Sequence, residues 1–314
     1  MTKRRKIIFF ILHFILLFFI AWGASLAQSV HTSKVVFIPK GSSSEIISYL
    51  ASHKFNVNNF DRFVLLFFGS AQAGWVQINE TKLSKMDFLY KLTRAKAAMR
   101  DITLVPGETS EYFFASIAKE LNLNAAKLMS ELNAKAPFSE GFLVPETYKI
   151  PLGITEEHLI FYLVNLSKKV HEERSKKIFG VYNPKEWQQH ILVASIIQKE
   201  AANEDEMPLV ASVIYNRLKK GMKLQMDGAL NYGKYSHERI TPERIAADNT
   251  RYNTYKFTGL PENAVCVVSL PAIKAAIFPK KSDYLYFVRD NKTGKHKFST
   301  TYEAHKNAIN QNKK

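Results

Sequence analysis

A continuous apolar segment near the N-terminus limits the architecture of this chain more than any other feature. Residues 7–27 contain no charged side chain, and a basic cluster at residues 3–6 precedes them. About 20 apolar residues, each adding 1.5 Å of helical rise, span the core of a bilayer. Because the segment is apolar on every face, it favours a membrane-spanning helix over a buried helix of a water-soluble domain.

The charges beside this segment predict its orientation. Basic residues favour the cytoplasmic side, so we expect residues 1–6 to form a cytoplasmic tail, with the chain after residue 27 outside the membrane. Trp22 then lies near the outer interface, where tryptophan is common. A cleaved signal peptide is the alternative, since Ser25-Leu26-Ala27 resembles a cleavage site. The apolar run is longer than the roughly 7–15 residues of a usual signal core, which favours a retained anchor.

Charge and cysteine content narrow the class of protein. The net charge of +16 suits an anionic partner, such as nucleic acid, lipid headgroups or an acidic polymer, but a lysine-rich solvated surface explains it equally well. The sequence has no zinc-finger spacing, RNP-like strand or basic recognition helix, so we expect no nucleic acid partner. Cys266 is the only cysteine, which excludes an intramolecular disulfide and a four-cysteine zinc site.

Two short patterns organise the chain between the apolar segment and residue 150. Residues 28–35 are typical of a polar linker, and residues 35–41 of a strand that ends in a Pro-Lys-Gly turn before a serine-capped helix. Residues 102–109 repeat the order of strand, proline, glycine and hydroxyl residue, and a helix follows. The region 36–150 is therefore predicted to contain two related α+β units. Residues 62–68 fit a strand or a helix equally well.

Helical patterns dominate the region after residue 150. Residues 155–179 predict an amphipathic helix that ends at Gly180. Asn183 and Pro184 predict the start of a second helix, because asparagine caps helices and proline fits the first turn. Its apolar positions recur every three or four residues and predict one buried stripe, with Lys199 directed toward solvent. Residues 208–220 predict a third helix.

Glu200 lies at the edge of the apolar stripe, near the end of the second helix. A partly desolvated carboxyl group has a raised pKa, which a glycosidic general acid requires. The alternative is an ordinary surface glutamate at a helix end. The stretch after the third helix combines amides, a carboxylate and an aromatic residue, which is typical of sugar-binding clefts and also of ordinary polar loops.

Several ordered blocks resemble the YceG-like (MltG) family of endolytic murein transglycosylases. The resemblance covers residues 36–306, and the blocks are residues 140–148, 194–200, 216–227, 252–261, 284–288 and 296–305. It implies an α+β fold with an N-terminal transmembrane helix (7–27), a linker (28–35), a LysM-like α+β region (36–150) and a YceG-like catalytic domain (151–314). Two departures stand out. Gln198 replaces a glutamate common in the family. Residues 262–270 replace the family's Gly-Pro-Ile-x-Asn-Pro-Gly stretch, so the cleft wall is expected to differ there.

The resemblance also implies an activity. Glu200 would cleave the β-1,4 bond between N-acetylmuramic acid (MurNAc) and N-acetylglucosamine (GlcNAc) without water, leaving 1,6-anhydro-MurNAc ends. Further candidates for sugar binding or for orienting Glu200 are Gln225, Asp227, Asn231, Tyr232, Asn253, Tyr255 and Ser299. We expect no cofactor and no metal, because His296 and His305 lack a third ligand.

The implied setting is the bacterial cytoplasmic (inner) membrane, with the N-terminus inside and the catalytic domain in the periplasm or outside the cell. The expected partners are peptidoglycan glycan strands, the membrane and peptidoglycan synthases, and the expected task is to limit the elongation of nascent strands. Two alternatives remain: a non-catalytic peptidoglycan-binding scaffold, and a muramidase that adds water to the same bond.

Overall fold

The computed structural model describes residues 3–312 and shows an α+β fold, as predicted, divided into two compact units. Unit 1 contains Met1–Arg100 and Lys149–Ile154, and unit 2 contains Asp101–Tyr148 and Thr155–Lys314. The predicted regions 36–150 and 151–314 divide the chain differently, because residues 101–148 pack with the C-terminal part. Residues 1–2 of the predicted tail and 313–314 of the predicted catalytic domain lie outside the described residues.

Unit 1 begins with the long apolar helix and continues as small sheets covered by helices. Its elements are α1 (Lys3–Ala27), β1 (Ser29–His31), β2 (Val35–Ile38), α2 (Ser43–Ser52), α3 (Asp61–Phe68), β3 (Gly74–Gln77), β4 (Lys82–Ser84), α4 (Lys85–Arg94) and β5 (Lys96–Ala97). Strand β1 pairs with β4, and β3 lies between β2 and β5, all antiparallel. The buried core includes Ile46, Leu50, Val64, Val76 and Phe88.

Helix α1 matches the predicted membrane span in length and composition. Its most apolar window has a mean hydropathy of 2.6, and none of that window is buried. A signal sequence near the N-terminus would pass the same test. The helix begins at Lys3, so Lys3–Lys6 of the predicted tail are helical.

The segment predicted as a linker, residues 28–35, is instead partly a strand. Val30 of β1 is fully buried opposite Leu83. The sequence pattern missed this strand because three residues are too few for a periodic signal. Residues 62–68, which fitted either element, belong to helix α3. The predicted cap of α2 is confirmed: the hydroxyl group of Ser42 accepts from the backbone N–H of Glu45.

Unit 2 is mostly helical. Its elements, including two strands that straddle the division between the units, are β6 (Met99–Thr103), α5 (Ser110–Leu121), α6 (Ala125–Lys135), β7 (Thr147–Pro151), α7 (Glu156–Phe179), α8 (Pro184–Glu200), α9 (Met207–Lys219), α10 (Pro242–Ala247), α11 (Leu270–Ile277), β8 (Tyr286–Arg289), β9 (His296–Ser299) and α12 (Tyr302–Asn312). Strand β6 pairs with β7, and β8 forms an antiparallel hairpin with β9. Short 3₁₀ helices cover Glu204–Glu206, Asp227–Leu230 and Gly233–Tyr235.

Helix α8 is the centre of unit 2. It begins as predicted, with Asn183 Oδ1 accepting from the backbone N–H of Lys185 at 3.2 Å. Its middle is enclosed on all sides, because every residue from 191 to 197 is buried. The predicted single stripe was therefore too narrow, since α9 and α11 both pack against this helix. A helix enclosed in this way holds its last residue, Glu200, in a defined place.

Candidate active site

Glu200 is the last residue of α8, and a backbone amide fixes its carboxyl group. The N–H of Gly228 donates to Glu200 Oε1 at 2.6 Å. A β-carbon at residue 228 would lie 2.5 Å from Lys199 Cβ and 2.9 Å from Glu200 Oε1. Only glycine therefore allows the 3₁₀ helix at Asp227–Leu230 to approach the end of α8 this closely.

The surroundings of Glu200 favour its protonated form. Burial raises the pKa of the carboxyl group to about 7, and the negative charge of Asp227 acts in the same direction. The hydrogen bond from Gly228 and the positive charge of Arg217 oppose these effects. A carboxyl group with this pKa can donate a proton near neutral pH and accept one back in the same reaction. The electrostatic requirement that the sequence predicted for Glu200 is therefore met.

Glu200 lies in the wall of a cavity of about 340 Å³. The lining residues come from α8, α9, the loops after α9, the β8–β9 hairpin and α12: Glu200, Arg217, Leu224, Gln225, Met226, Asp227, Tyr255, Tyr286, Phe287, Val288, Arg289, His296, Tyr302 and His305. Four predicted site residues are thus brought together, namely Glu200, Gln225, Asp227 and Tyr255.

Two loops are joined beside Glu200. The hydroxyl group of Tyr255 donates to Asp227 Oδ1 at 2.6 Å. The backbone N–H of Gln225 donates to Thr254 O at 3.1 Å, and that of Met226 donates to Thr254 Oγ1 at 3.0 Å. Gln225 adopts a left-handed conformation with φ of 47°. These bonds place a phenol, a carboxylate and an amide in one wall of the cavity, a combination that suits sugar hydroxyl groups.

Two of the other predicted candidates, Asn231 and Asn253, do not line this cavity. Asn231 Nδ2 donates to the carbonyl groups of Ser236 and Glu238. Asn253 is fully buried, and its Nδ2 donates to the carbonyl groups of Ile245 and Asp248. Both amide groups donate to carbonyl groups of the same loop and stabilise it. The sequence alone does not distinguish such amides from amides that face a sugar.

Tyr232 and Ser299 also lie outside the cavity. The Tyr232 hydroxyl group donates to Asp248 Oδ2 at 3.1 Å, and its ring stacks on Tyr252 with centroids 4.0 Å apart. Ser299 sits in β9 opposite Tyr286 and is almost completely buried. None of these four residues lines the cavity around Glu200, and their role in binding sugar or orienting Glu200 stays a prediction.

Arg217 lines the cavity but was not predicted as a site residue from the sequence. Its Nε donates to Leu285 O at 2.6 Å, and its Nη1 donates to Leu224 O at 2.7 Å. The guanidinium carbon lies 5.1 Å from the centre of the Tyr286 ring. An arginine among the buried positions of α9 was the available signal, since a buried charge needs a specific environment.

The two histidines considered as metal ligands have other partners. His296 Nδ1 lies 2.7 Å from Glu206 Oε2, and the ring of His305 stacks on Tyr286 at 5.3 Å. Among residues 3–312, no group of three histidine, cysteine, aspartate or glutamate side chains is arranged to hold a metal ion.

Lys199 does not face solvent as predicted. It is half-buried, and its Nζ donates to Ser236 Oγ at 3.1 Å, while Ser236 Oγ donates to Glu108 Oε1 at 2.9 Å. The prediction failed because residues 108 and 236, distant in sequence, cover this side of the helix end.

Comparison with known proteins identifies the relatives of this chain. The family model described as the YceG-like family matches residues 36–311. The chain belongs to the YceG-like family. This finding confirms the family predicted from the ordered sequence blocks.

Two proteins with the name endolytic murein transglycosylase are similar to this YceG-like chain. That of Streptococcus pneumoniae serotype 2 (strain D39 / NCTC 7466) is 33% identical over 216 residues, which cover 63% of this chain and 38% of the relative. That of Bacillus subtilis (strain 168) is 30% identical over 230 residues, covering 69% of this chain and 61% of the relative. The chain therefore spans less than two thirds of the length of these relatives.

The fold is shared with a solved structure. A 2.6 Å crystal structure of a yceG-like protein from Listeria monocytogenes matches with a TM-score of 0.59 and 24% identity, over 87% of this chain and 97% of that chain. At this identity the likeness concerns the fold alone.

The two departures from the YceG-like pattern lie beside α8 but outside the cavity. Gln198 Oε1 accepts from the backbone N–H of Ser269 at 3.0 Å. Residues 264–268 are buried, and Val265 N donates to Ser195 Oγ at 3.0 Å. No residue from 262 to 270 lines the cavity around Glu200. The expected change in the cleft wall is therefore absent from this cavity, because the apolar replacement segment packs into the core.

Proposed function

We propose that this protein is an endolytic murein transglycosylase that cleaves the MurNAc–GlcNAc β-1,4 bond and leaves 1,6-anhydro-MurNAc ends. The observation that carries the proposal is Glu200, a cavity carboxyl group whose burial raises its pKa to about 7. The name shared by the relatives from Streptococcus pneumoniae and Bacillus subtilis supports the same reaction. Glu200 is proposed as the catalytic residue, and Gln225, Asp227 and Tyr255 are proposed as sugar-binding groups.

In the proposed reaction one carboxyl group transfers a proton twice. Glu200 first donates its proton to the glycosidic oxygen, and the bond between that oxygen and C1 of MurNAc breaks. The hydroxyl oxygen on C6 of the same sugar then bonds to C1, and its proton returns to the Glu200 carboxylate. The products are a GlcNAc-terminated chain and an anhydro-MurNAc end, with no water consumed and the enzyme restored.

The neighbours of Glu200 have separate proposed tasks. The N–H of Gly228 holds Oε1 and leaves the other carboxyl oxygen for the substrate. The positive charge of Arg217 stabilises the carboxylate that forms after the first proton transfer. Asp227, which accepts from Tyr255, is placed to orient a sugar hydroxyl group.

A hydrolytic muramidase is a second candidate, and the location of Asp227 favours it. Asp227 and Glu200 line the same cavity, and two carboxyl groups are what ordinary glycosidases use, one as acid and the other as base or nucleophile. The products distinguish the two reactions. Transglycosylation yields anhydro ends that are lighter by one water, whereas hydrolysis yields reducing ends.

The deciding experiment is digestion of purified glycan strands by the full-length protein in detergent, followed by mass spectrometry. We expect anhydro ends, internal cuts and no incorporation of ¹⁸O from labelled water. Reducing ends that carry ¹⁸O would establish the muramidase instead. No cleavage under any condition would favour a third candidate, a non-catalytic scaffold that binds peptidoglycan through the region 36–150, which we still propose to be LysM-like.

The proposed cellular setting follows from α1. We propose that it spans the bacterial cytoplasmic membrane once, with the N-terminus inside, and keeps the enzyme beside newly made glycan strands. Cleavage there would limit strand elongation, and peptidoglycan synthases are the proposed protein partners. Intact mass of the protein from the membrane fraction tests retention of α1 against cleavage after Ala27.

A further inference from the structure

One face of helix α3 exposes a row of large apolar side chains. The row consists of Phe60, just before the helix, and Phe63, Leu66 and Phe67. Leu66 is 63% exposed and Phe67 is 82% exposed. The opposite face is packed into unit 1. Contiguous apolar side chains of this size on a surface mark a site of contact with a protein, a ligand or a membrane.

The position of this row relative to α1 indicates which contact it makes. The ring of Phe60 lies against that of Phe18, in the apolar part of α1, with centroids 5.8 Å apart. Further along α1, Trp22 and Leu26 pack against the core of unit 1. Helix α1 ends at Ala27 and strand β1 begins at Ser29, so no flexible linker separates them. The apolar row and the apolar helix therefore belong to one continuous surface.

Buried polar groups hold α1 and α3 in this arrangement. The ammonium group of Lys85 donates to Ser25 Oγ at 2.9 Å and lies 3.6 Å from Asp61 Oδ2. Lys85 and Asp61 are both almost completely buried. Breaking this ion pair would leave a buried charge without a partner, which is costly. These contacts therefore fix the position of α3 relative to α1.

The depth of α3 follows from the rise of α1. Phe18 precedes Trp22 by four residues, which is about 6 Å along a helix. If Trp22 marks the outer interface, Phe60 lies about that far toward the centre of the bilayer. Helices that rest on membranes bury their apolar side roughly 5–10 Å into the boundary between headgroups and acyl chains. The two depths agree.

We propose that the apolar row of α3 is inserted in the outer leaflet of the membrane as a second contact beside α1. The inference rests on α1 spanning the membrane, and it identifies lipid as the occupant of this surface. The exposed guanidinium group of Arg62, 4.8 Å from the centre of the Phe63 ring, is placed to meet lipid phosphate groups. The contact would hold unit 1 against the bilayer in one orientation.

Depth-dependent fluorescence quenching in lipid nanodiscs tests this contact on the full-length protein. Leu66→Cys and Phe67→Cys, each at an exposed position outside the core, carry an environment-sensitive dye. Gln77→Cys, on an exposed polar position of β3, is the matched control in the same unit. Leu12→Cys reports on the insertion of α1. Cys266 is buried, so the unaltered chain measures background labelling.

We expect dyes at residues 66 and 67 to lose most of their emission to nitroxides placed near the headgroups, while the dye at residue 77 keeps its emission. The dye at residue 12 should respond to nitroxides deep in the acyl chains. If lipid nitroxides leave the emission at residues 66 and 67 unchanged, the proposal is overturned. The dyes then face water or, if their emission shifts to the blue as the protein concentration rises, a second copy of the chain. No quenching at residue 12 would overturn the membrane anchor as well, independently of glycan cleavage.

Discussion

At the scale of single residues, opposing neighbours set the protonation of Glu200. Burial and Asp227 raise the pKa of its carboxyl group to about 7, while Gly228 and Arg217 pull it down. Since the first step needs the protonated acid, we expect the rate of glycan cleavage to fall as the pH rises through about 7. Initial rates between pH 5 and pH 9 measure this fall, which is the alkaline limb of the pH–rate profile. A rate that rises throughout the range would contradict the role of Glu200 as acid.

Asp227→Asn tests the electrostatic coupling directly. Removing a negative charge favours the ionised form of Glu200, so its pKa falls and the alkaline limb moves to lower pH, by up to about one unit. The products should still be anhydro ends. A limb that stays in place would contradict the electrostatic coupling. Loss of all turnover would indicate that Asp227 takes part in the chemistry, as a muramidase requires.

Gly228→Ala tests the close approach of backbone and helix end. The added methyl group would lie 2.5 Å from Lys199 Cβ, so the loop must move and the hydrogen bond to Glu200 lengthens. We expect kcat to fall about tenfold or more, since small misplacements at a reacting group are costly. Gly23→Ala is the control: like Gly228, residue 23 has no positive φ, but it has open space around it. Similar losses of kcat in both variants would contradict this explanation.

At the scale of elements, the start of α8 is a local property. Asn183→Ala removes the cap and should destabilise the protein by about 1 kcal/mol. Because Glu200 lies at the other end of the helix, the pH dependence of cleavage should not change. Thermal melting and the pH–rate profile of the same variant measure the two effects, and a shifted alkaline limb would show that the cap acts on the site.

Predictability from sequence also differs between elements. The caps of α7 and α8 were predictable because Thr155, Gly180 and Asn183 act on the backbone beside them. The loop after α9 was not. Asn253 and Tyr255 are two residues apart, yet one is buried against carbonyl groups and the other lines the cavity. Which side chain faces the cavity depends on distant residues that complete the fold.

At the scale of the whole molecule, the family and the α+β class could be predicted, but the packing of residues 101–148 could not. The C=O group of Glu108 accepts from the backbone N–H of Val267, and Thr109 and Ser110 also contact segments far away in sequence. For example, Thr109 Oγ1 donates to Gly233 O at 2.8 Å. A local strand-and-helix pattern carries no information about such partners, so the predicted division at residue 150 differed from the compact units.

Two partly buried carboxyl groups of unit 2, those of Glu140 and Glu200, should make its stability depend on pH. Burial raises the pKa of Glu140 to about 7, as it does for Glu200, from an ordinary value of 4.5. A raised carboxyl pKa contributes stability that is complete below pH 4.5 and is lost as the pH rises through about 7. We expect the melting temperature to fall by roughly 5 °C between about pH 5 and pH 8.

Glu140→Gln should flatten part of this dependence, because a neutral amide replaces the titrating group, while the donors at Ser110 and Gly141 remain available to its oxygen. Calorimetry at several pH values compares the two proteins. A wild-type melting temperature that rises between about pH 5 and pH 8 would contradict the protonated state assigned to these carboxyl groups.

The most direct test of the role of Glu200 is glycan cleavage by Glu200→Gln beside a matched variant, Glu204→Gln. Glu204 is an exposed residue four positions further along, so both changes replace one carboxyl group with an amide. We expect mass spectrometry to find anhydro-MurNAc ends with the wild type and with Glu204→Gln, and none above background with Glu200→Gln. Anhydro ends released by Glu200→Gln at the wild-type rate would contradict the assignment of Glu200 as the proton-transfer residue.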